Sequence, residues 1–264
     1  MPELPDVEAY RRFFAGHAAG RTVRRVEADP TIVRNATPAA LDRALRGRRF
    51  ADAERLGKWL IAWTDGPATL FHFGMTGWFV WSGDVPERHR HDRLILEFAE
   101  GGELRYRNMR KLGGVWLAHD RAEVDAILGP LGPDALGMPT RRFRELLSRR
   151  RGGVKAALMD QSVLAGIGNL IADEALWQAR IHPKARIDQL TDEEVGELAS
   201  MLRKVLRELV ATYDYLPPKR TWLLSVRGRP GALCPRCRTP LVRTVAAGRT
   251  TYFCPRCQRE PGAS

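Results

Sequence analysis

Long hydrophobic runs are absent from the 264-residue sequence. The stretch richest in apolar residues, 69–81, is interrupted by polar and glycine positions. It is shorter than the roughly 18 residues that a membrane helix needs. The first residues also lack the basic segment followed by an apolar one that is typical of a secretory signal. We therefore expect a cytoplasmic protein that has no membrane partner.

Acidic residues are few for a chain with this many basic ones. Lys and Arg number 43 against 31 Asp and Glu, which gives a formal net charge of +12. The imbalance is strongest in residues 219–264, where the one acid is Glu260. Such a surface attracts polyanions, so nucleic acid is the leading partner. An arginine-rich composition with solvated basic faces would give the same excess.

Turn residues divide the first half of the chain into short segments. Pro5 suits the first turn of a helix, which Val7 and Phe14 continue at helical spacing. Short runs with the composition of strands follow, and a brief helix over 41–45 interrupts them. These runs are 22–26, 59–63, 69–73, 78–81, 94–98 and 115–118. They predict a β-sandwich or a barrel.

A linker rich in Gly and Pro at 128–134 introduces a helical half. We expect Thr140 to cap the first helix of this half. Thr191 and Glu194 form a capping box for a long helix that should end near Tyr213. Between them, helical spacing predicts helices over 154–159 and 169–179.

The chain contains only four cysteines, in two Cys-x-x-Cys pairs with sixteen residues between the pairs: Cys234, Cys237, Cys254 and Cys257. The insert can form a hairpin that brings the pairs together as a tetrahedral zinc site. Four thiolates leave no position for a catalytic water, so we expect one structural Zn whose binding folds the module. Two disulfides or metal-free thiols are the alternatives. Arg249 in the insert is suited to backbone phosphates.

The second residue of the chain is proline. A small residue there permits removal of Met1, which would leave Pro2 with a free secondary amine. An α-amino group has a pKa of about 7.7–8.0 against about 10.4 for Lys, so it is a ready nucleophile. Its attack on a sugar carbon gives an iminium ion, which favours eliminations. Glu3 is placed to exchange a proton with the ring oxygen. Many unrelated chains also begin Met-Pro.

Motifs along nearly the whole chain resemble those of the formamidopyrimidine-DNA glycosylase and endonuclease VIII family, which are bifunctional DNA glycosylases and abasic-site lyases. The start, Met-Pro-Glu-Leu-Pro-Asp-Val-Glu, is similar to the family's start, and further motifs follow in the family's order. They are Gly57-Lys58-Trp59-Leu60, His72-Phe73-Gly74-Met75-Thr76-Gly77, Met159-Asp160-Gln161, Leu164-Ala165-Gly166-Ile167-Gly168-Asn169 with its continuations Ala172-Asp173-Glu174-Ala175-Leu176 and Ile181-His182-Pro183, and Arg249-Thr-Thr-Tyr-Phe-Cys-Pro-Arg-Cys-Gln258.

The resemblance implies a fold, a partner and an activity. The fold is α+β and multidomain: a catalytic β-sandwich preceded by a helix over 1–132, a helix-two-turn-helix domain over 133–225 and a zinc-finger hairpin over 226–264. The partner is damaged double-stranded DNA, bound by a monomer in the bacterial cytoplasm or nucleoid without a small-molecule cofactor. The activity is removal of oxidised or ring-opened bases through an iminium ion, followed by β- and δ-elimination.

The resemblance also implies roles for individual residues. Pro2 would attack the sugar carbon, Glu3 would transfer protons, and Lys58 would contact phosphate or shuttle a proton. Met75 would push into the base stack where the target nucleotide is flipped out. Phosphate contacts are implied for Lys155, Gly168, Asn169 and Arg249.

Two departures from the family pattern bear on lesion choice. The loop Asn108-Met109-Arg110-Lys111-Leu112-Gly113 stands where the guanine-lesion branch has Asp-Pro-Arg-Arg-Phe-Gly. Arg110 matches the arginine that fills the space opposite the expelled base, but Leu112 replaces the aromatic wedge. Residues 214–233 replace a longer segment that caps flipped 8-oxoguanine. We therefore expect weak excision of 8-oxoguanine and leave open oxidised pyrimidines, ring-opened purines and hydantoins.

Two other functions account for part of the pattern. A non-catalytic DNA-damage-binding protein would keep the fold without the chemistry, but the presence of Pro2, Glu3 and Lys58 favours catalysis. A zinc-ribbon protein that binds RNA or acts in transcription would leave the N-terminal pattern and the Gly166 to Asn169 loop unexplained.

Overall fold

The structure is a computed structural model that describes residues 2–212 and 219–260. The chain divides into two compact units, Met1–Pro130 and Leu131–Ser264. The first contains two antiparallel sheets and the second contains helices and a two-stranded hairpin, which confirms the α+β class. Within the described ranges, no helix has both the length and the apolar character needed to cross a membrane.

The first unit is a sandwich of two four-stranded antiparallel sheets with strand orders β1-β6-β7-β5 and β2-β3-β4-β8. Three helices accompany the sheets: α1 (Leu4–His17), α2 (Pro38–Leu45) and α3 (Arg121–Leu128). The strands are β1 (Val23–Ala28), β2 (Phe50–Leu56), β3 (Trp59–Thr64), β4 (Ala68–His72), β5 (Gly77–Trp81), β6 (Asp92–Phe98), β7 (Glu103–Asn108) and β8 (Gly114–Ala118).

Aromatic side chains from both sheets and from α1 fill the core of the sandwich. Phe14 of α1 meets Phe50 edge to face at 5.1 Å, and Phe71 meets Phe79 in the same way at 5.1 Å. Burial of one such side chain contributes about 1.5–3 kcal/mol. Helix α1 is thereby fixed to the sheets, and with it the N-terminal residues that precede the helix.

Strand β7, which the sequence pattern did not predict, contains a buried charged residue. Arg105 is only 2% exposed, and its guanidinium donates to the carbonyl oxygens of Val85, Pro86 and Glu87 at 2.8–3.0 Å. It also donates to the Glu103 carboxylate at 2.7 Å. These acceptors satisfy the donors of the buried guanidinium, as burial of a charge requires.

The second unit contains α4 (Thr140–Ser148), α5 (Val154–Met159), α6 (Asn169–Gln178), α7 (Asp192–Ala211) and the hairpin of β9 (Val242–Ala246) and β10 (Arg249–Phe253). The Thr191–Glu194 capping box is confirmed. The expected cap at Thr140 is wrong, because Pro139 precedes the helix and the Thr140 hydroxyl accepts from Arg203 instead. The predicted end of the long helix, Tyr213, lies outside the described residues.

The hairpin is joined to the helices through a small buried cluster. Trp177 of α6 and Leu223 pack with Cys234 and Cys254, and all four are nearly inaccessible to solvent. Gln258 ties the two parts further, since its amide donates to the Ile181 carbonyl at 2.8 Å and its carbonyl accepts from the Cys254 N–H at 3.0 Å. The position of the hairpin on the helices is therefore set within the second unit.

Candidate active site and nucleic-acid interface

The N-terminal residues lie at the start of α1. Glu3 precedes the helix in extended backbone conformation and is only 3% exposed. The Asp6 carboxylate accepts from the Glu3 backbone N–H at 2.6 Å, which fixes the entry of the chain into the helix. Pro2 is half-buried and lines a cavity of about 650 Å³ together with Tyr10 and Met75. The structure thus places Pro2 at a cavity large enough for a nucleotide, with the buried Glu3 as the next residue of the chain.

Lys58 lies in the tight turn between β2 and β3. Arg55 fixes this turn, because its guanidinium donates to the Gly57 carbonyl at 3.1 Å and to the Glu8 carboxylate at 3.1 Å. Glu8 is on α1, one and a half turns after Glu3. Burial raises the pKa of Glu8, but the hydrogen bonds and charges of Arg11 and Arg55 outweigh it, so the pKa lies below its ordinary value.

His72 at the end of β4 is close enough to Lys58 for their charges to interact. Two causes lower the pKa of His72 to about 4. The larger is burial, and the smaller is the positive charge of Lys58. The ring nitrogen Nδ1 of His72 faces the Gly74 N–H at 3.3 Å. His72 is therefore neutral at physiological pH, and Lys58 supplies the positive charge at this turn.

The loops β4–β5 and β7–β8 present the apolar residues expected to enter the base stack. Met75, Met109 and Leu112 are exposed to 43%, 53% and 54%, and exposed apolar side chains that lie together mark interaction sites. Arg110 connects the loops, since its guanidinium lies 3.4 Å from the Met75 sulfur and its N–H donates to the Thr76 hydroxyl at 3.0 Å. The structure thus brings Met75, Arg110 and Leu112 into one group.

Two glycines hold these loops against each other. Gly74 adopts φ +61°, and a methyl group there would lie 2.4 Å from the backbone nitrogen of Gly113. A methyl group on Gly113 would lie 2.0 Å from the His72 carbonyl oxygen. Neither position has room for a side chain, so the distance between the two loops is set by backbone contact.

In the second unit, a loop of two turns joins α5 and α6. The Gln161 side chain closes the loop by donating to the carbonyls of Met159 and Ile167 and accepting from the Gly166 N–H, all at 2.8–3.0 Å. Gly168 precedes α6 in extended conformation, and Asn169 is the first residue of the helix. A helix N-terminus preceded by glycine is suited to a phosphate group.

The zinc hairpin contacts this helix start. The carbonyl oxygen of Thr250 accepts from the Asn169 amide and from the Arg227 guanidinium, each at 3.0 Å. Arg249, the residue before Thr250, is exposed at the beginning of β10, directly after the turn. The structure therefore brings the predicted phosphate ligands Asn169 and Arg249 together on one side of the second unit.

Lys155 occupies a different environment from the one expected of a phosphate ligand. It is only 1% exposed, and its ammonium donates to the Asp173 carboxylate at 2.6 Å and to the Thr251 hydroxyl at 2.5 Å. Asp173 also accepts from Arg227 at 2.8 Å. These contacts tie α5, α6 and the hairpin to one another. A direct phosphate contact by Lys155 stays a prediction.

The four cysteines lie together as the sequence spacing predicts. Their sulfur atoms all lie within 4.8 Å of one another, with pairs at 3.4 Å and 3.9 Å. A tetrahedral zinc ion with bonds of about 2.3 Å separates its sulfur ligands by about 3.8 Å. The Cys257 N–H donates to the Cys254 sulfur at 3.4 Å, which stabilises a thiolate. The donor set and its spacing fit one structural zinc ion.

Sequence reasoning missed several residues around Pro2. His89, Arg90, His91 and Arg107 line the same cavity, and the first three belong to the turn before β6. The run Arg-His-Arg-His at 88–91 was the available signal, because four consecutive basic or titratable residues are uncommon in a turn. Arg90 and Arg107 place guanidinium groups at this cavity, which favours an anionic ligand there.

Comparison with known proteins covers both units. Family models match at residues 1–115 (formamidopyrimidine-DNA glycosylase N-terminal domain), 131–215 (its helix-two-turn-helix domain) and 231–259 (the zinc finger found in this glycosylase and in isoleucyl-tRNA synthetase). A formamidopyrimidine-DNA glycosylase of Heliobacterium modesticaldum is 39% identical over 98% of this chain and 100% of its own length.

Solved structures agree with the sequence relatives. A mutant of the Lactococcus lactis enzyme in complex with DNA containing Fapy-dG has a TM-score of 0.87 and 31% identity, and it covers 98% of this chain and 100% of its own. A MutM protein bound to DNA containing carbocyclic 8-oxo-G has a TM-score of 0.87 and 29% identity, with the same coverage.

The sandwich with its exposed loops and the helical unit with its zinc hairpin define a DNA-binding glycosylase of base excision repair. The chain belongs to the formamidopyrimidine-DNA glycosylase family.

Proposed function

We propose that this glycosylase is also an abasic-site lyase and that the amine of Pro2 is its nucleophile. The observation that carries the proposal is the position of Pro2, half-buried on a nucleotide-sized cavity, with the buried carboxyl group of Glu3 next to it. A secondary amine with the pKa of an α-amino group is partly uncharged at neutral pH, so it can attack without deep burial.

The reaction balances with these two residues. The Pro2 nitrogen forms a bond to C1′ and releases its N–H proton, while the damaged base leaves with its bonding electrons and takes up a proton. The ring oxygen then accepts a proton from Glu3 as the C1′–O4′ bond breaks, which leaves an iminium ion. The Glu3 carboxylate accepts the C2′ proton as the 3′ phosphate leaves, and loss of a C4′ proton to water expels the 5′ phosphate. Hydrolysis of the remaining iminium returns the free amine of Pro2.

Lys58 supports this chemistry from the β2–β3 turn. The neighbouring His72 is neutral, so it does not share the positive charge of the Lys58 ammonium, and we assign this ammonium either a DNA phosphate next to the target nucleotide or the proton for the departing base. The Arg55 contacts to Gly57 and Glu8 hold the turn in place relative to α1.

DNA distortion is assigned to the two exposed loops. Met75 would fill the space left by the flipped nucleotide, and Arg110 with Leu112 would fill the space beside the opposite base. Leucine has no aromatic face for stacking, so we propose a weaker dependence on the opposite base than an aromatic wedge would give. The phosphate groups would be held by Gly168, Asn169 and Arg249.

The short segment before Cys234 argues against efficient removal of 8-oxoguanine. Few residues are present between α7 and the first cysteine to cover a flipped purine. We therefore propose ring-opened purines, hydantoins or oxidised pyrimidines in duplex DNA as the substrates. Excision rates on a panel of duplexes that each carry one of these lesions would rank them, and 8-oxoguanine as the fastest substrate would contradict the proposal.

Borohydride trapping tests the nucleophile. The protein, with Met1 removal confirmed by mass, is incubated with a duplex that contains one abasic site, and borohydride reduces any iminium to a stable cross-link. We expect the cross-link to map to Pro2 and to be absent from protein that retains Met1. A cross-link on Lys58 would contradict the assignment, and tight binding without a cross-link would favour a non-catalytic damage-binding protein.

A further inference from the structure

A second cavity, of about 980 Å³, lies in the second unit beside the zinc site. Residues from the segments 180–194 and 256–260 line it together with Arg236 and Cys237, and the lining includes two of the four zinc ligands, Cys237 and Cys257. The volume falls in the range of about 300–1,000 Å³ that is usual for small-ligand sites. No step of the proposed reaction uses this cavity.

Three arginines of this cavity form no ion pair with any described residue. Arg180, Arg256 and Arg259 line it, and among residues 2–212 and 219–260 none of them forms an ion pair. Arg180 lies in the turn after α6 and has a left-handed backbone conformation, at φ +61°. This conformation determines the direction in which the side chain leaves the backbone. A fourth, Arg236, stacks on Trp177 and donates to its carbonyl at 3.2 Å.

A buried hydrogen-bond donor in the cavity wall also lacks a partner. His182 is 3% exposed, and its Nδ1 accepts from the Lys184 N–H at 3.3 Å, so in the neutral ring the hydrogen is on Nε2. Nε2 makes no hydrogen bond with any described residue. Oε1 of Glu260 lies 3.8 Å from Nε2, which is too long for a hydrogen bond. A buried donor without a partner is costly unless a ligand satisfies it.

Two acidic residues also line the cavity, and they differ in their hydrogen bonds and exposure. The Glu194 carboxylate is held by the Thr191 N–H at 2.8 Å as part of the capping box. The Glu260 side chain is 67% exposed and stands over the unsatisfied Nε2 of His182. Glu260 thus occupies the position that an anionic ligand would need, and it would compete with such a ligand.

We propose that this cavity binds a phosphate group, which accepts from Nε2 of His182 and from the guanidinium groups of Arg180, Arg256 and Arg259. Several donors on different segments suit a phosphate group, whose oxygens are strong acceptors both in a monoester, of charge about −1.5 to −2, and in a diester, of one charge. Arginine is the residue best suited to such a group because its donors form a planar fork.

The site is separate from the predicted DNA contact at Arg249. Strand β10 lies between Arg249 at the hairpin turn and Cys254 at the zinc end. Its five residues span about 17 Å at about 3.4 Å per residue. The phosphate could belong to a free ligand or to a DNA strand that continues past the hairpin, and the experiment distinguishes these sources.

Calorimetry at constant ionic strength measures binding to the zinc-loaded protein. The ligands are inorganic phosphate and a deoxynucleoside 5′-monophosphate. Arg180→Gly removes one guanidinium without backbone strain, because glycine favours a positive φ. Arg238→Gly is the matched control, since Arg238 has φ +63°, is exposed and does not line the cavity. We expect one site per chain, binding weakened about five- to tenfold in R180G and unchanged binding in R238G.

Glu260→Gln tests the competing carboxylate and should strengthen phosphate binding at least about twofold. Equal weakening in R180G and R238G, or no saturable binding at millimolar phosphate, would overturn the proposal. If phosphate stays bound when an abasic duplex saturates the protein, the ligand is a free phosphate compound. If the duplex displaces phosphate and R180G lowers the salt dependence of duplex binding, the ligand is a DNA phosphate. Borohydride trapping is independent of both outcomes.

Discussion

The Arg55 guanidinium donates to the Glu8 carboxylate at 3.1 Å, and this contact joins the turn that carries Lys58 to the helix that follows Glu3. Both side chains are largely buried, at 6% and 12% exposure. The proposed proton donor and the proposed cation are therefore held on two elements that one ion pair connects. Any change in this pair should alter the catalytic geometry and the stability of the first unit together.

Glu8→Gln should destabilise the first unit by about 1–3 kcal/mol at pH 7, because it removes a charged hydrogen-bond acceptor. The pKa of Glu8 is lower in the folded state than its ordinary value of 4.5. The contribution of the Glu8 carboxylate to the free energy of unfolding is therefore complete above pH 4.5 and is lost as pH falls through the folded pKa. Thermal unfolding from pH 3 to 8 measures this. Glu54→Gln, which affects a half-exposed pair with Arg121, should have little effect. A wild-type advantage that persists unchanged at pH 3 would contradict the assignment.

Arg249→Ala should weaken binding of all lesions alike and reduce the salt slope of binding by about 1, because one phosphate contact is lost. The measurement is the dissociation constant of several lesion duplexes over a range of salt concentrations. Arg141→Ala serves as the control, since Arg141 is 93% exposed on α4 and pairs only with a neighbour on its own helix. A loss confined to one lesion would argue for base contact by Arg249.

Lys155→Met should lower the stability of the second unit by about 3–5 kcal/mol and leave the salt slope of DNA binding unchanged. The reason is that the buried Asp173 carboxylate would lose one of its two cationic partners and keep the other, Arg227, so the loss should be at the low end of this range. Thermal unfolding and salt-dependent binding of the same preparation separate the two effects. If the salt slope falls by about 1 and stability is retained, Lys155 contacts phosphate directly.

Glu174→Gln should remove a pH dependence of the thermal stability of the second unit. Burial is the main cause that raises the pKa of Glu174 to about 7, although the Leu224 N–H and the Gln178 amide donate to it. With a raised folded pKa, its contribution is complete below 4.5 and is lost as pH rises through about 7. Unfolding temperatures of the wild type should fall between pH 5 and 8, while those of E174Q should stay level.

Leu112→Phe should tighten binding to an abasic duplex about fivefold and increase discrimination between opposite bases, because an aromatic ring stacks on a base. Binding is compared for four duplexes that differ in the base opposite the abasic site. Val85→Phe, another exposed apolar position of the first unit, should change none of these values. Equal gains for both variants would show a general effect of hydrophobicity.

The sequence predicted the elements whose apolar residues follow a clear period. Helix α1, six strands of the sandwich and the capping box at Thr191 belong to this group. Strands β2 and β7 were missed because their sequences contain several charged residues, and β7 depends on carbonyl acceptors for Arg105 from a distant turn. No local pattern reports such a tertiary contact.

The candidate site divides in the same way. The position of Pro2 beside a cavity, directly before the buried Glu3, agrees with the expectation drawn from the start of the chain. The cysteine spacing was sufficient to predict the metal site. The burial of Lys155 was not predictable, because it depends on Asp173 and Thr251, which are eighteen and ninety-six positions away along the chain.

The contact between Gly74 and Gly113 limits how this enzyme could change its preference. Because neither glycine accepts even a methyl group, the loops that carry Met75 and Leu112 cannot be moved apart or together by substitution at the contact. New preferences for the opposite base would therefore arise by exchange of the side chains at 109–112 on a constant backbone. Natural variation in recognition should be concentrated at those four positions, and the glycines beside them should remain fixed.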